Sequence, residues 1–251
     1  MLQIKFLCDS VMKLQPLQSS QLSAEQKCDI KAGQIYDVQV YTPMLDHIKV
    51  TFKNQNFKGK NTWYLFQKHA VIVKDEKVIC PAEIKLKVPY KSQLDNAGNP
   101  YGSCNVTSIA MALSFLGLKA KDAKIQLEDE FQDWMEAKGL DRHSPADLVK
   151  LVEGYGYKDT FKTNATVQEV QDWLILGNPA VLHGYFTTSG HIICLIGFNQ
   201  KGFIVNDPYG EWNADGYDTD SSGAGLTYSY EMIDRTCRDD GEFWVHFISK
   251  K

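Results

Sequence analysis

The chain has 251 residues, 43% of them hydrophobic and 23% charged, and a formal net charge of −4. This composition is typical of a globular protein with one or two domains, and the scattered lysines and arginines predict no nucleic-acid partner. No run reaches the ~18 apolar residues of a membrane span, and Met1–Asp9 lacks the apolar core of a signal peptide. We therefore expect a protein made in the cytoplasm, whose release to the cell wall would need another route.

The six cysteines lie far apart in the sequence and include no CxxC pair. This spacing predicts neither a disulfide scaffold nor a zinc site. The stretch Asp215–Gly223 imitates the opening of a calcium loop, but the twelfth position counted from Asp218 is Ser229 rather than a bidentate glutamate. We therefore expect no metal and no cofactor. Whether Cys8 pairs with Cys28 depends on export and stays open.

Residues 1–80 are predicted to form a small all-β unit, because short β-rich runs alternate with turn residues. The runs are Ile35–Tyr41, His47–Phe52, Thr62–Phe66 and Ala70–Val73. Short strands that close on themselves predict a compact barrel, and the polar Lys13–Lys27 is expected as a surface loop. The segment Asn61–Phe66 resembles the last strands of bacterial SH3-like domains, which implies attachment to a cell wall or a partner. A barrel that only packs on the next domain is the alternative.

The segment Lys74–Lys87 contains Pro81 and has no clear period, so we place the boundary there and the second domain at residues 86–251. Helical spacing, capping residues and stop signals then predict helices after Cys104, within Ala120–Lys138, from Pro145 and after Thr166. From Pro179 onward the chain changes to short runs rich in valine, isoleucine and phenylalanine. Helices followed by strands predict an α+β domain with a mostly antiparallel sheet.

Cys104 stands where a polar, turn-rich segment meets an apolar helix. The apolar residues that share one face of this helix are Val106, Ile109, Ala110, Leu113 and Leu116. Cys104 therefore lies in the first turn, where unpaired amides and the helix dipole favour the thiolate. Because the thiolate is the nucleophilic form of cysteine, this position predicts a reactive residue.

His191 and Asp207 are brought together by a predicted hairpin that turns at Asn199–Gly202. The start of one antiparallel strand lies beside the end of the other, so the histidine and the acid become neighbours. They share a face only if the turn pairs Phe198 with Gly202 or the ladder contains a bulge, because a shift of one residue reverses the face. A two-residue loop without a bulge would separate them.

These residues predict acyl transfer from a peptide bond. Cys104 would attack a carbonyl, His191 would take and return the proton, and Asp207 would orient the imidazole. The oxyanion needs donors, and we expect the amide of Cys104 and the side chain of Gln93 to supply them.

The runs Val88–Gln93, Gly102–Ser108, Gly190–His191 with its strand, and Asn206–Pro208 resemble papain-like cysteine peptidases of the bacteriocin-leader-processing (peptidase C-thirty-nine-like) type. The resemblance extends from about Leu86 to the C-terminus. It implies a helical subdomain packed on an antiparallel sheet, with the cleft between them. It also implies that the oxyanion-hole glutamine, nucleophile, base and orienting acid are Gln93, Cys104, His191 and Asp207.

Leader-processing members are commonly fused to a membrane transporter and cut after a Gly-Gly pair, whereas this chain carries the predicted barrel instead. An SH3-type barrel beside a papain-like domain also occurs in cell-wall hydrolases, so the expected partner is a peptide or peptidoglycan substrate. Two alternatives stay open: a papain-like transpeptidase or amidase similar to phytochelatin synthases, and a catalytically silent peptide-binding module. The sequence does not define the cleavage site or the oligomeric state.

The remaining candidate residues are assigned structural places. His183 is expected to be a core or hydrogen-bonded histidine, and Cys194 is expected to pack inside a buried strand. The segment Tyr209–Leu226 is expected to form a mobile loop beside the cleft. The histidines with no acid or cysteine pattern nearby are expected at the surface: His47, His69, His143 and His246.

Overall fold

The computed structural model describes all 251 residues of the chain. It divides into two compact units, residues 1–83 with 175–177 and residues 84–174 with 178–251. The ranges 1–80 and 86–251, taken from the sequence as separate domains, stay a prediction. No helix of the structure has the length and apolar character needed to cross a membrane.

The first unit is built on an eight-stranded antiparallel sheet in the order β3-β2-β6-β5-β4-β1-β7-β8. Its strands are β1 (Leu2–Phe6), β2 (Ser10–Lys13), β3 (Lys27–Ile30), β4 (Ile35–Met44), β5 (His47–Phe52), β6 (Thr62–Phe66), β7 (Ala70–Lys74) and β8 (Lys77–Cys80). Alternate residues of β5 and β6 are buried, which is the pattern of strands with one face on a core. The sequence predicted β4 to β7 but not the other four strands. The resemblance to an SH3-like barrel stays a prediction.

The second unit contains five helices, and all but the last were predicted from the sequence. They are α1 (Cys104–Phe115), α2 (Leu127–Ala137), α3 (Pro145–Gly154), α4 (Val167–Ile175) and α5 (Tyr230–Cys237). Helix α3 begins as predicted, with the Ser144 side chain accepting from the Asp147 amide. Within α2, the buried Leu127, Phe131 and Met135 recur every four residues and form its core-facing stripe.

Helix α1 differs from the expectation of one apolar face. Every residue from Asn105 to Leu113 is buried, so the helix is enclosed on all sides. Its polar side chains therefore need partners inside the protein. Ser108 meets that need by donating to the Ile192 carbonyl at 2.9 Å, which fixes α1 to the neighbouring sheet.

The main sheet of this unit is antiparallel, with the strand order β10-β17-β11-β12-β13-β16 and a short strand β9 beside β12. Its strands are β9 (Ile84–Lys85), β10 (Tyr157–Lys162), β11 (Ala180–Gly184), β12 (His191–Phe198), β13 (Gly202–Asn206), β16 (Ala224–Ser229) and β17 (Val245–Lys250). Side chains of α1, α2, α3, β11 and β12 share one apolar core. The unit is thus a mixed α+β structure, as the sequence predicts.

The segment Tyr209–Leu226 is not a featureless loop. It carries the hairpin of β14 (Glu211–Asn213) and β15 (Gly216–Asp218) and the beginning of β16. This region lies beside β13, because β16 pairs with that strand along its length. The segment expected as a loop therefore contains regular strands, which lie beside the end of β13.

Candidate active site

The hairpin of β12 and β13 contains a bulge, one of the two conditions under which the sequence predicts that His191 and Asp207 share a face. Near the turn, Phe198 lies opposite Phe203, the register of a two-residue loop. The ladder then skips Ile196, so that Cys194 lies opposite Asn206. One extra residue on one strand moves the side chains beyond it to the opposite face of the sheet. His191 and the residue after Asn206 consequently share a face.

Two sequence features support this irregular register. The turn is closed by the side chain of Asn199, whose Oδ1 accepts from the amides of Lys201 and Gly202. Beside the bulge, β9 approaches so closely that a Cβ on Gly197 would lie 2.0 Å from the Ile84 carbonyl oxygen. Glycine is therefore required at position 197 for β9 to pair with β12.

His191 and Asp207 are hydrogen-bonded in the structure. The distance from His191 Nε2 to Asp207 Oδ1 is 2.8 Å, and both side chains are buried. The carboxylate also accepts the Tyr209 amide at 3.0 Å and the hydroxyls of Tyr217 and Tyr228, each at 2.9 Å. Four donors thus saturate both carboxylate oxygens and hold them in place. The sequence did not identify the two hydroxyl donors, which come from β15 and β16.

Cys104 is the first residue of α1, and polar side chains fix the turn that precedes it. Asn96 Nδ2 donates to the Ser103 hydroxyl at 2.7 Å and to the Thr107 hydroxyl at 2.9 Å. Thr107 in turn donates to the Ser103 carbonyl at 2.8 Å. Asn96, Ser103 and Thr107 are all buried. Such a closed network orders the helix start and therefore the direction of the Cys104 side chain.

Cys104 lies beside His191, and the charge and hydrogen-bonding capacity of the ring act on the thiol. Since Nε2 of His191 faces Asp207, the ring nitrogen left for the thiol is Nδ1. Burial alone would raise the pKa of Cys104, but the His191 charge, the bond to His191 and the Ile192 amide together lower it. Burial alone would lower the pKa of His191, but Asp207 and Cys104 raise it to about 10. Both shifts favour a thiolate–imidazolium pair.

A cavity of about 490 Å³ leads to this pair. Its wall includes Cys104, His191 and Gln93, so the structure brings these sequence-predicted residues together with Asp207 behind them. Gln93 is buried, and its Nε2 donates to the Pro100 carbonyl at 2.9 Å. An amide nitrogen carries two hydrogens, so one donor of Gln93 remains for a ligand in the cavity.

A second histidine–carboxylate pair lies on the same sheet and was missed by the sequence analysis. His246 Nδ1 is 2.7 Å from Asp159 Oδ2, and His246 Nε2 is 3.0 Å from His183 Nε2. The expectation that His246 lies at the surface is wrong, because it has 0% exposure. Its acid comes from β10, a strand that the sequence did not predict. His47 and His69, also expected at the surface, are half-buried.

Comparisons with known proteins found similarity to one family model and to solved structures. The sequence model of the Peptidase_C39 like family matches residues 85–237. A solved structure described as a C39-like peptidase from Bacillus anthracis is 16% identical over 67% of this chain and 98% of its own, with a TM-score of 0.47. A double glycine motif protease from an AMS/PCAT transporter, solved in complex with the leader peptide, is 18% identical over 66% and 94%, with a TM-score of 0.43. No curated protein matches the chain.

Proposed function

Because the chain belongs to the Peptidase_C39-like family, we propose that it is a cysteine peptidase that hydrolyses peptide bonds through Cys104, His191 and Asp207. The observation that carries the proposal is the placement of Cys104 beside His191, which is hydrogen-bonded to the buried Asp207, at the wall of an open cavity. A nucleophile next to a base that a third group orients is the arrangement that covalent catalysis requires.

In the proposed reaction, the Cys104 thiolate attacks the carbonyl carbon of the scissile bond. The oxyanion accepts hydrogen bonds from the Cys104 amide, which has no partner within the first turn of α1, and from the remaining N–H of Gln93. His191 gives its proton to the departing amine as the C–N bond breaks. Water, deprotonated by His191, then releases the acid from the thioester. Asp207 keeps the ring in place throughout.

The same acyl-enzyme could pass to an amine or thiol instead of water, which is the transpeptidase alternative. A silent binding module is less well supported, because the His191 ring is bonded to Asp207 rather than turned away and the cavity in front of Cys104 is open. The proposed substrates are cell-wall peptides, and the first unit is proposed to be an SH3-like attachment module. Both of these assignments rest on the sequence resemblance alone.

The test compares wild type with Cys104→Ala, using Cys28→Ala in the first unit as the matched control. Purified peptidoglycan, a peptide library and the library with added glycine amide are incubated with each protein, and the products are identified by mass spectrometry. The proposal predicts cleavage by wild type and Cys28→Ala and none by Cys104→Ala. Amide-ligated products would identify a transpeptidase, whereas cleavage that survives Cys104→Ala would exclude the proposed mechanism.

A further inference from the structure

The Asp159–His246–His183 series crosses three adjacent strands and ends in the active-site cavity. Asp159 lies on β10, His246 on β17 and His183 on β11, and these strands are neighbours in the sheet. The two imidazole rings are stacked, with centroids 5.1 Å apart. Of the three residues, His183 lines the cavity that contains Cys104. The series therefore connects a buried acid to the space where a substrate would bind.

His183 lies on β11, the strand next to β12, which carries His191. In the pairing of β11 with β12, His183 lies opposite Ile192 and Gly184 lies opposite His191. Cys104 and His183 both line the active-site cavity. Because the two residues share this cavity, a peptide held at Cys104 can reach the His183 ring.

The ring has one nitrogen free for a ligand. Nε2 of His183 is bonded to His246, whereas Nδ1 has no partner in the protein and belongs to a side chain on the cavity wall. Burial and the charge of His246 lower the pKa of His183 to about 3, so the ring is neutral and carries one hydrogen. Which nitrogen carries that hydrogen decides whether Nδ1 donates or accepts.

The buried acid decides this question. Asp159 Oδ1 is buried without a hydrogen-bond partner, and Asp159 Oδ2 is bonded to His246. A buried carboxylate with so few donors is stable only in a pair that is neutral as a whole, because an unpaired buried charge is costly. An acid proton on Oδ1 would itself be a buried donor without a partner, so the neutral pair is either an imidazolium with a carboxylate or an imidazole whose Nδ1 accepts the acid proton of Oδ2. In both forms His246 Nε2 carries a hydrogen. It therefore donates to His183 Nε2, which leaves the hydrogen of His183 on Nδ1.

We propose that His183 Nδ1–H is a substrate-binding donor that takes a carbonyl or carboxylate oxygen of the peptide, and that Asp159 and His246 are positioning residues that fix its tautomer. The inference rests on the proposed peptidase function for the identity of the ligand, but the donor exists without it. Asp240 lines the same cavity, and its negative charge disfavours a carboxylate ligand. Titration with a carbonyl compound and with a carboxylate compound therefore distinguishes the two kinds of ligand oxygen.

The first test uses ¹⁵N-histidine-labelled full-length protein and NMR, with the His183 signals assigned by their loss in His183→Gln. The expected result is the Nδ1–H tautomer in wild type. Asp159→Asn keeps an acceptor for His246 Nδ1–H but makes His246 a neutral acceptor at Nε2, so the His183 tautomer should reverse. A wild-type Nε2–H tautomer would overturn the proposal.

Ligand recognition is tested by titrating the same protein with N-acetylglycinamide and N-acetylglycine. The first supplies only carbonyl oxygens, and the second adds a carboxylate. A His183 Nδ1 shift with both compounds supports a carbonyl-binding donor, and a shift with N-acetylglycine alone supports a carboxylate-binding donor. No shift with either compound overturns the subsite.

A kinetic test uses any peptide that wild type cleaves. His183→Gln should lower kcat/KM by about 10-fold, the effect of one lost hydrogen bond of ~1.4 kcal/mol, while Cys104 alkylation by iodoacetamide changes less than about 2-fold. His143→Gln is the matched control, because His143 is an exposed residue on the same wall. Unchanged kcat/KM in His183→Gln would refute the subsite alone. If no peptide is cleaved by wild type, the proposed function fails, and the NMR tests still decide the subsite.

Discussion

The second unit contains two buried histidine–carboxylate pairs that differ in what surrounds the acid. Asp207 accepts four hydrogen bonds, and its histidine presents the other nitrogen to a thiol. Asp159 has one bonded oxygen and one buried without a partner, and its histidine presents the other nitrogen to a second imidazole. A carboxylate that is saturated by donors holds a ring in place whatever the ring's charge. A carboxylate with one partner depends on that ring for its stability.

The largest difference between the two pairs is expected in peptide cleavage, when His191 is replaced. His191→Ala removes the proposed base and the cation beside Cys104, so kcat/KM for any cleaved peptide should fall by about 10⁴-fold. The matched change at the other pair, His246→Ala, leaves the base in place and should lower kcat/KM far less. Steady-state hydrolysis assays on both variants measure the ratio. Equal losses in the two variants would mean that the pairs do not have different roles.

The second effect concerns the free energy of unfolding and should fall on the other pair. His246→Ala leaves Asp159 buried without a counter-charge, which costs about 3 kcal/mol or more. Urea unfolding of His246→Ala and wild type measures the difference, with the exposed His143→Ala expected within about 0.5 kcal/mol of wild type. A loss below about 1 kcal/mol for His246→Ala would show that Asp159 does not need its partner.

Smaller effects are expected from the tyrosines that bond to Asp207. Tyr217→Phe and Tyr228→Phe each remove one hydroxyl from Oδ2 and should each cost about 1–2 kcal/mol of unfolding free energy. The double variant leaves Oδ2 without a donor, so its cost should exceed the sum of the single costs. Thermal or urea unfolding of the three variants tests this. A strictly additive result would indicate that Oδ2 finds another donor.

The two pairs also show what a sequence can and cannot predict. The hairpin that joins His191 to Asp207 was predictable, because both strands are apolar and their ends are close in the chain. The bulge at Ile196 was not, since it depends on the approach of β9 to Gly197, which only the fold reveals. The sequence offered it only as one of two conditions.

The second pair escaped prediction for a related reason. Strand β10 has lysines at positions 158 and 162 between its other residues, so it lacks the continuous apolar run that marks the other strands. Asp159 reaches His246 only because β10 pairs with β17, where Asp159 lies opposite Ile248. Residues 87 positions apart in the chain give no local signal of such a contact. A period-two reading of Tyr157–Lys162 would have been the only sequence indication.

His191 is proposed to hold Cys104 as a thiolate, and the pH dependence of Cys104 alkylation by iodoacetamide tests this pairing most directly. The pKa of Cys104 is lowered and that of His191 is raised to about 10. The thiolate–imidazolium pair therefore forms as the pH rises through the pKa of Cys104, and it is lost as the pH rises through the pKa of His191. Wild-type Cys104 should react at pH values below the ~8.5 pKa of a free thiol, and its profile should show a second inflection at about pH 10. In His191→Ala, burial without the cation should move the first inflection above ~8.5 and abolish the second. Identical profiles for the two proteins would contradict the claim.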